Sequence, residues 1–343
     1  MNEYLDNARR NIQRAMESSF NFLSGASSMA GNLAANTGST LYSRLMILKA
    51  QVMAESSGPT ESTSKADSSQ KQQRMHLVSV VCGFPKDINM YPIYLDGQFG
   101  EDAWFKASTT KAYALGVADG VGGWRAYGID PGRFSRFLMR SCERLSHAAD
   151  FKASQPKQLL ARAFCNLLEQ KQPILGSSTA CVLTLHRESG ILHAANIGDS
   201  GFLVIRHGTI VCCSMEQQHH FNTPYQLAAP PPGQNVNMLT DGPDCADLLE
   251  LEMQSGDILI LATDGVYDNV SKELLLQVLS PAAGIDNPVQ LQRYANSVAL
   301  IARLLSLNPN YDSPFSLNAR RHNIEAHGGK PDDITVILSS FIQ

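Results

Sequence analysis

The sequence predicts an α+β fold in which helices cover a β-sandwich. Three observations carry this: short β-branched runs end in glycine-marked turns, several such runs follow each other closely enough to pair antiparallel, and three longer stretches repeat apolar residues at helical spacing. The chain has 343 residues, 43% of them hydrophobic and 17% charged, which is ample for a buried core.

The first run, 75–84 (MHLVSVVCGF), is apolar and β-branched and reads as a strand. Residues 112–119 (AYALGVAD) read likewise and end in Asp-Gly. Runs at 180–186, 191–197, 202–206 and 209–213 are separated only by Glu188-Ser189-Gly190, the turn at 198–201 and His207-Gly208, which predicts one antiparallel meander. Residues 257–263 and 334–338 complete the set of buried strands. In 133–147 a helical face is formed by Phe134, Phe137, Leu138 and Leu145. In 157–170 it is formed by Leu159, Leu160, Ala163, Phe164, Leu167 and Leu168. In 288–307, Leu291, Tyr294, Ala295, Val298, Ala302 and Leu305 share a face, and Pro288 suits the first turn. No internal repeat is evident.

Residues 1–70 differ from the rest. The stretch 56–70 (SSGPTESTSKADSSQ) has no large apolar residue and reads as a linker. Before it, Leu5, Ile12, Met16, Phe20 and Leu23 recur at roughly helical spacing among Arg9, Arg10 and Arg14, a pattern of mitochondrial targeting helices. Glu3, Asp6 and Glu17 run against that pattern, and a cytoplasmic protein with a disordered tail is the alternative. The expected division is a leader and linker over 1–70 and a folded domain over 71–343.

Composition narrows the function. A net charge of −4 without a Lys/Arg stripe gives no footprint for nucleic acid or an anionic membrane. No apolar run is long enough for a transmembrane helix. The seven cysteines include no C-x-x-C pair, which argues against a disulfide framework or structural zinc site.

The chemistry-bearing residues are carboxylates at strand ends and glycine-marked turns. They are Glu101-Asp102 in GQFGEDAWF, Asp119 in GVADGVGGW, Asp199 in NIGDSG, Asp264 in ATDGVYDN and Asp332-Asp333 in GGKPDDITV. A lone Asp-Gly is ordinarily only a turn. Several, each following a buried run, would bring acids to one rim, where they repel one another and resist ionising. A divalent cation removes that conflict. With oxygen ligands and no His or Cys at these turns, the donor set suits Mg²⁺ or Mn²⁺ rather than zinc.

The ordered blocks Glu101-Asp102, Val117-Ala118-Asp119-Gly120 with Gly122-Gly123, Gly176-Ser177-Ser178-Thr179-Ala180, Gly198-Asp199-Ser200, Ala262-Thr263-Asp264-Gly265 followed by Asp268, and Pro331-Asp332-Asp333-Ile334-Thr335 resemble the type 2C family of metal-dependent protein phosphatases. The resemblance covers roughly 74–343, and GVADGVGGWRAYGIDP is similar to the subgroup that acts in mitochondria. It implies a four-layer αββα sandwich of two antiparallel sheets flanked by helices. It also implies hydrolysis of phosphoserine and phosphothreonine in protein substrates by water that two divalent cations, Mn²⁺ or Mg²⁺, have turned into hydroxide. Asp119, Asp264 and Asp332 would be the catalytic metal ligands, joined by the carbonyl of Gly120. Glu101, Asp102 and Asp199 would hold metal-bound waters. A monomer is expected.

The chain departs from the family pattern at two informative places. Where many members carry a proton-donating His after the Asp-Gly, this chain has Val121. Where many carry a phosphate-gripping Arg, it has Gly97. Arg125 and Arg133, just beyond the Asp119 turn, are the candidate substitutes for the clamp, and His220 is a weaker one for the acid. An aspartyl-phosphate mechanism is excluded because Val117 stands where its second Asp would be, and the acidic balance disfavours a nuclease. The remaining alternative is a pseudophosphatase that keeps the fold as a binding module, against which stand the retained Asp119, Asp264 and Asp332.

Overall fold

The computed structural model describes residues 75–87, 97–231 and 239–342. The expected leader and linker over 1–70 lie outside the described residues. In chain order the strands are β1 (His76–Phe84), β2 (Gln98–Phe99), β3 (Asp102–Ser108), β4 (Ala112–Asp119), β5 (Gly176–Ser178), β6 (Ala180–His186), β7 (Ile191–Ile197), β8 (Gly201–Arg206), β9 (Thr209–Cys213), β10 (Gln218–His220), β11 (Thr223–Pro224), β12 (Leu227–Ala229), β13 (Asp247–Glu252), β14 (Ile258–Ala262) and β15 (Ile334–Ile342). The α-helices are α1 (Pro131–Ser146), α2 (Pro156–Leu168), α3 (Asp264–Tyr267), α4 (Lys272–Leu279), α5 (Pro288–Ser306) and α6 (Pro314–Arg321).

Two antiparallel sheets form the centre. One has five strands in the order β1-β15-β14-β8-β9, the other six in the order β13-β7-β6-β4-β3-β2. The period-2 alternation explains why their central strands read as continuous apolar runs: both faces are buried. Along β4, Ala114 and Ala118 face the cluster built with Phe134, Leu138 and Leu160 of α1 and α2. The intervening Leu115 and Val117 face Phe202, Leu261 and Ile337 of the other sheet. Along β14, Leu259 and Leu261 point between the sheets, while Ile258 and Ile260 meet Leu291 and Val298 of α5. The layers are therefore helix, sheet, sheet, helix, the αββα sandwich the resemblance implies.

Local signals place the helices. Proline occupies the first position of α1, α2, α5 and α6, where its missing N–H costs nothing. Asp130 caps α1 by accepting from the Gly132 N–H at 3.1 Å, and Asn287 caps α5 by accepting from Val289 at 2.8 Å. Each such cap stabilises its helix by about 0.5–2 kcal/mol. Leu168, expected on the buried face of α2, is 53% exposed because the helix ends there and its face turns out of the core.

The predicted meander is corrected. β6 pairs with β7 in the six-stranded sheet, and β8 pairs with β9 in the five-stranded sheet. Between Ile197 and Gly201 the chain leaves one sheet and enters the other. Gly198 makes that passage with φ +98°, a left-handed conformation that favours glycine. The crossing carries Asp199 to the shared end of both sheets.

Candidate metal centre

Strand register, rather than proximity in sequence, gathers the acids. On β3 and β4, Asp102 lies directly opposite Asp119. Across the other sheet, Ala262 of β14 pairs with Gly201 of β8 and Val336 of β15. The chain on either side of those pairs supplies Asp199, Asp264 and Asp332. The two sheets are fastened at this rim by Asp102, whose Oδ2 accepts from Thr263 Oγ1 at 2.7 Å and Thr335 Oγ1 at 2.8 Å. The end of β4 is pinned as well: the Asp119 N–H donates to Thr179 Oγ1 at 3.1 Å, and its carbonyl accepts from Ser178 Oγ at 2.7 Å. Gly120 continues from there, its N–H reaching the Glu101 carbonyl at 3.3 Å.

All but one of these acids are too buried and too close to ionise freely. Burial, then Asp264, Asp102, Asp332 and Asp199, pushes the Asp119 carboxyl well above the usual carboxylate range. Burial, then Asp333, pushes Asp102 up, and burial, then Asp264 and Asp268, pushes Asp199 up. Asp332 is raised to about 6 by burial and then by Asp264, and Asp268 to about 8, chiefly by burial. Asp264 goes the other way. Burial would raise it, but the Lys330 ammonium and hydrogen bonds with Lys330, Asp119 and Asp268 hold it low. Lys330 Nζ lies 2.6 Å from Asp264 Oδ2, 2.6 Å from Asp268 Oδ2 and 3.4 Å from Asp332 Oδ2.

These residues fit hard divalent cations. All the donors are oxygens, and an ammonium already sits among them. Asp102 Oδ1 and Asp199 Oδ1 are buried with no hydrogen-bond partner, the situation a coordinated water or ion relieves. Among the described residues, no three His, Cys, Asp or Glu side chains are arranged around one point as finished metal ligands. Asp264, Asp268 and Asp332 each direct an oxygen at Lys330.

The two acids of Pro331-Asp332-Asp333 separate cleanly. Asp333 turns away from the rim, and its carboxylate accepts from the backbone N–H of Lys86 and, at 2.8 Å, of Glu101. It joins three loops, while Asp332 faces the cluster and lies 3.6 Å from Lys86 Nζ. Glu101 is held by Arg125, whose Nε donates to it. Arg125 thus enters the site bound to an acid, with a second nitrogen 3.6 Å from Asp130. Arg133 is exposed on the first turn of α1.

The departures from the family pattern have local causes. Gly97 has φ +77°, and its carbonyl accepts from the Trp104 N–H at 2.9 Å, so it forms the turn entering β2. An arginine there would be strained. Val121 precedes a short 3₁₀ helix, Gly122–Tyr127, and its N–H donates to the Ser177 carbonyl at 3.0 Å. His220 is exposed, whereas His219 is fixed by Asp241 at 2.9 Å and stacks on Tyr225. A cavity of about 250 Å³ adjoins the cluster. Asp199 and Asp268 line it together with Phe221, Phe315 and Arg321. Neither Lys330 nor Arg321 was singled out from the sequence. The only signal for Lys330 is its place two residues before Asp332.

Comparison with known proteins places the chain in a family. The family described as protein phosphatase 2C matches residues 94–294. The protein phosphatase PTC7 homolog of Homo sapiens is 48% identical over 263 residues, 77% of this chain and 86% of that protein. The PTC7 homolog of Danio rerio is also 48% identical, over 77% of this chain and 88% of its own length. Among solved structures, the photosystem II phosphatase PBCP is 28% identical with a TM-score of 0.64, covering 77% of this chain and 98% of that one. With the sandwich, the carboxylate rim and these likenesses in agreement, the chain belongs to the protein phosphatase 2C family and is a protein serine/threonine phosphatase.

Proposed function

We propose that dephosphorylation takes place at the carboxylate rim, where Asp119, the Gly120 carbonyl, Asp264 and Asp332 hold two divalent cations, Mn²⁺ or Mg²⁺. The observation that carries this reading is the partner account: Asp102, Asp119, Asp199, Asp264, Asp268 and Asp332 converge there, with Lys330 bonded to two of them and 3.4 Å from a third. When bound, such cations supply Lewis acidity toward the phosphoryl oxygens and an acidified water as nucleophile.

The chain's own residues do the rest. Asp119, at the end of β4, would be a ligand of both cations. Glu101, fixed by Arg125, and Asp102, fixed by Thr263 and Thr335, would hold metal-bound water. Asp199, with its unpartnered oxygen, would do the same. The cavity beside Asp199 and Asp268 gives room for the phosphorylated side chain. Arg125 and Arg133 remain candidates for the phosphate, and Arg321 in the cavity wall is a third. The retained carboxylates favour catalysis over a binding-only module. A phosphoserine-peptide assay with added Mn²⁺ or Mg²⁺ tests this: activity is expected to vanish with chelator, and chelator-resistant turnover would contradict it.

Phosphoproteins are the partners in this reading, and the protein acts as a monomer, which light scattering in solution tests. Among the described residues no helix is long and apolar enough to cross a membrane. The Arg-bearing leader supports a mitochondrial location over a cytoplasmic one. Deleting residues 1–70 is expected to leave phosphatase activity intact and change where the protein is found. A full-length protein found only in the cytosol would remove the mitochondrial reading.

A further inference from the structure

Lys330 is not a surface lysine that has strayed onto a group of acids. Its backbone is clamped on both sides by Asn269, a fully buried residue. The Lys330 N–H donates to Asn269 Oδ1 at 2.8 Å, and Asn269 Nδ2 donates to the Lys330 carbonyl at 2.9 Å and to the Gly265 carbonyl at 2.9 Å. The same side chain therefore fixes Lys330 and the start of α3, which carries Asp264. Phe315 covers the ammonium, its ring centre 5.2 Å from Nζ, and the Phe315 N–H holds the Asp268 carbonyl at 3.0 Å. The Lys330 side chain is 18% exposed. Pro331 then stiffens the step to Asp332.

The division of oxygens matters. Lys330 takes Asp268 Oδ2 and Asp264 Oδ2, each at 2.6 Å, whereas Asp264 also bonds with Asp119. Asp264 is thus shared between the ammonium and Asp119. Asp268 gives Oδ2 to the ammonium and also bonds with Asp264.

We propose that Lys330 is a resident cation of this centre: its ammonium keeps its place on Asp264 and Asp268 when divalent cations are bound, and so closes the Asp268 side of the cluster to a divalent ion. The proposal rests on the metal-centre reading above. A fixed monovalent charge occupies Asp268 Oδ2 there with no ligand exchange, so that oxygen is not offered to a divalent ion.

Mn²⁺ counts per chain, from calorimetry and from electron paramagnetic resonance of free Mn²⁺, test it on the full-length protein. Lys330→Met is expected to bind about one more Mn²⁺ than the unsubstituted protein, because Asp268 is released as a hard oxygen ligand. Lys330→Met with Asp268→Asn is expected to return to the original count, and Lys330→Arg to keep it. Equal counts in the unsubstituted protein and Lys330→Met would overturn the proposal, even with tighter binding, since that is the mark of a displaced competitor. The count in the unsubstituted protein reports separately on the metal-centre reading. A measurement free of substitutions guards against a variant that does not fold. Reductive methylation should label Lys330 more slowly than exposed Lys111, both with chelator and with saturating Mn²⁺. Labelling of Lys330 that rises to the Lys111 rate on adding Mn²⁺ would show the ammonium leaving, and would overturn the proposal.

Discussion

Asp257 and Asp264 sit at opposite ends of the same strand, β14, and both are buried, yet their partner accounts are opposite. Asp257 is satisfied three times over. Arg206 grips it in a bidentate pair at 2.8 and 2.7 Å, and the Gln254 N–H donates at 2.8 Å. Asp264 shares one ammonium with Asp268 and Asp332 while facing Asp119. A buried acid is therefore not by itself a sign of function. What separates the structural acid from the working one here is whether its cation serves it alone or is shared among several acids.

The largest expected break in this comparison is in turnover. Asp264→Asn should lower the rate on phosphopeptide by on the order of 10³-fold, about 4 kcal/mol of barrier, while the far-ultraviolet circular dichroism stays native. A near-normal rate at limiting metal would remove Asp264 from the ligand set. Asp257→Ala should do the reverse. It strands a guanidinium only 16% exposed, which costs about 3–5 kcal/mol of stability in chemical denaturation. Turnover per folded molecule should stay within roughly a factor of two, as for a change distant from the chemistry. A rate loss in Asp257→Ala larger than its loss of folded protein would count against the contrast.

A smaller effect appears with pH. Asp332 and Asp333 are raised to about 6 and Asp268 to about 8, above an unfolded value of about 3.9. Groups raised in the folded state contribute stability that is present at low pH and lost as pH rises through their folded values. With chelator present, Tm should therefore fall as pH rises from about 5 to about 8.5, and saturating Mn²⁺ should flatten the fall. A chelated protein whose Tm rises over that window would contradict the picture of mutually repelling acids.

Much of this was legible in the sequence, for reasons that also mark its limits. Asp119 and Asp264 follow apolar runs long enough to be buried strands and precede glycine, so their delivery to a rim could be read locally. The helices α1, α2 and α5 announced themselves through apolar period, and α5 also through its N-terminal proline. The passage between sheets at Gly198 could not be read, because a period of two gives each strand two faces but not the sheet that owns it. Asp332 and Asp333 are adjacent and chemically identical. Only the fold shows that Asp333 is spent on the backbone of Lys86 and Glu101. The Arg206–Asp257 pair spans 51 positions, and Lys330 meets Asp264 across 66. Such partners are set by strand register and loop packing, and no local pattern carries them.

The central claim is that the rim acids are left under-neutralised in order to hold divalent cations. The most direct test is Tm at about pH 8 with chelator and with Mn²⁺, where the acids repel most strongly. The account predicts a rise in Tm with Mn²⁺ in the unsubstituted protein and in Asp257→Ala. It predicts no rise when Asp264→Asn and Asp332→Asn are combined. A Tm that Mn²⁺ leaves unmoved in the unsubstituted protein, or a rise that survives in the double variant, would contradict it.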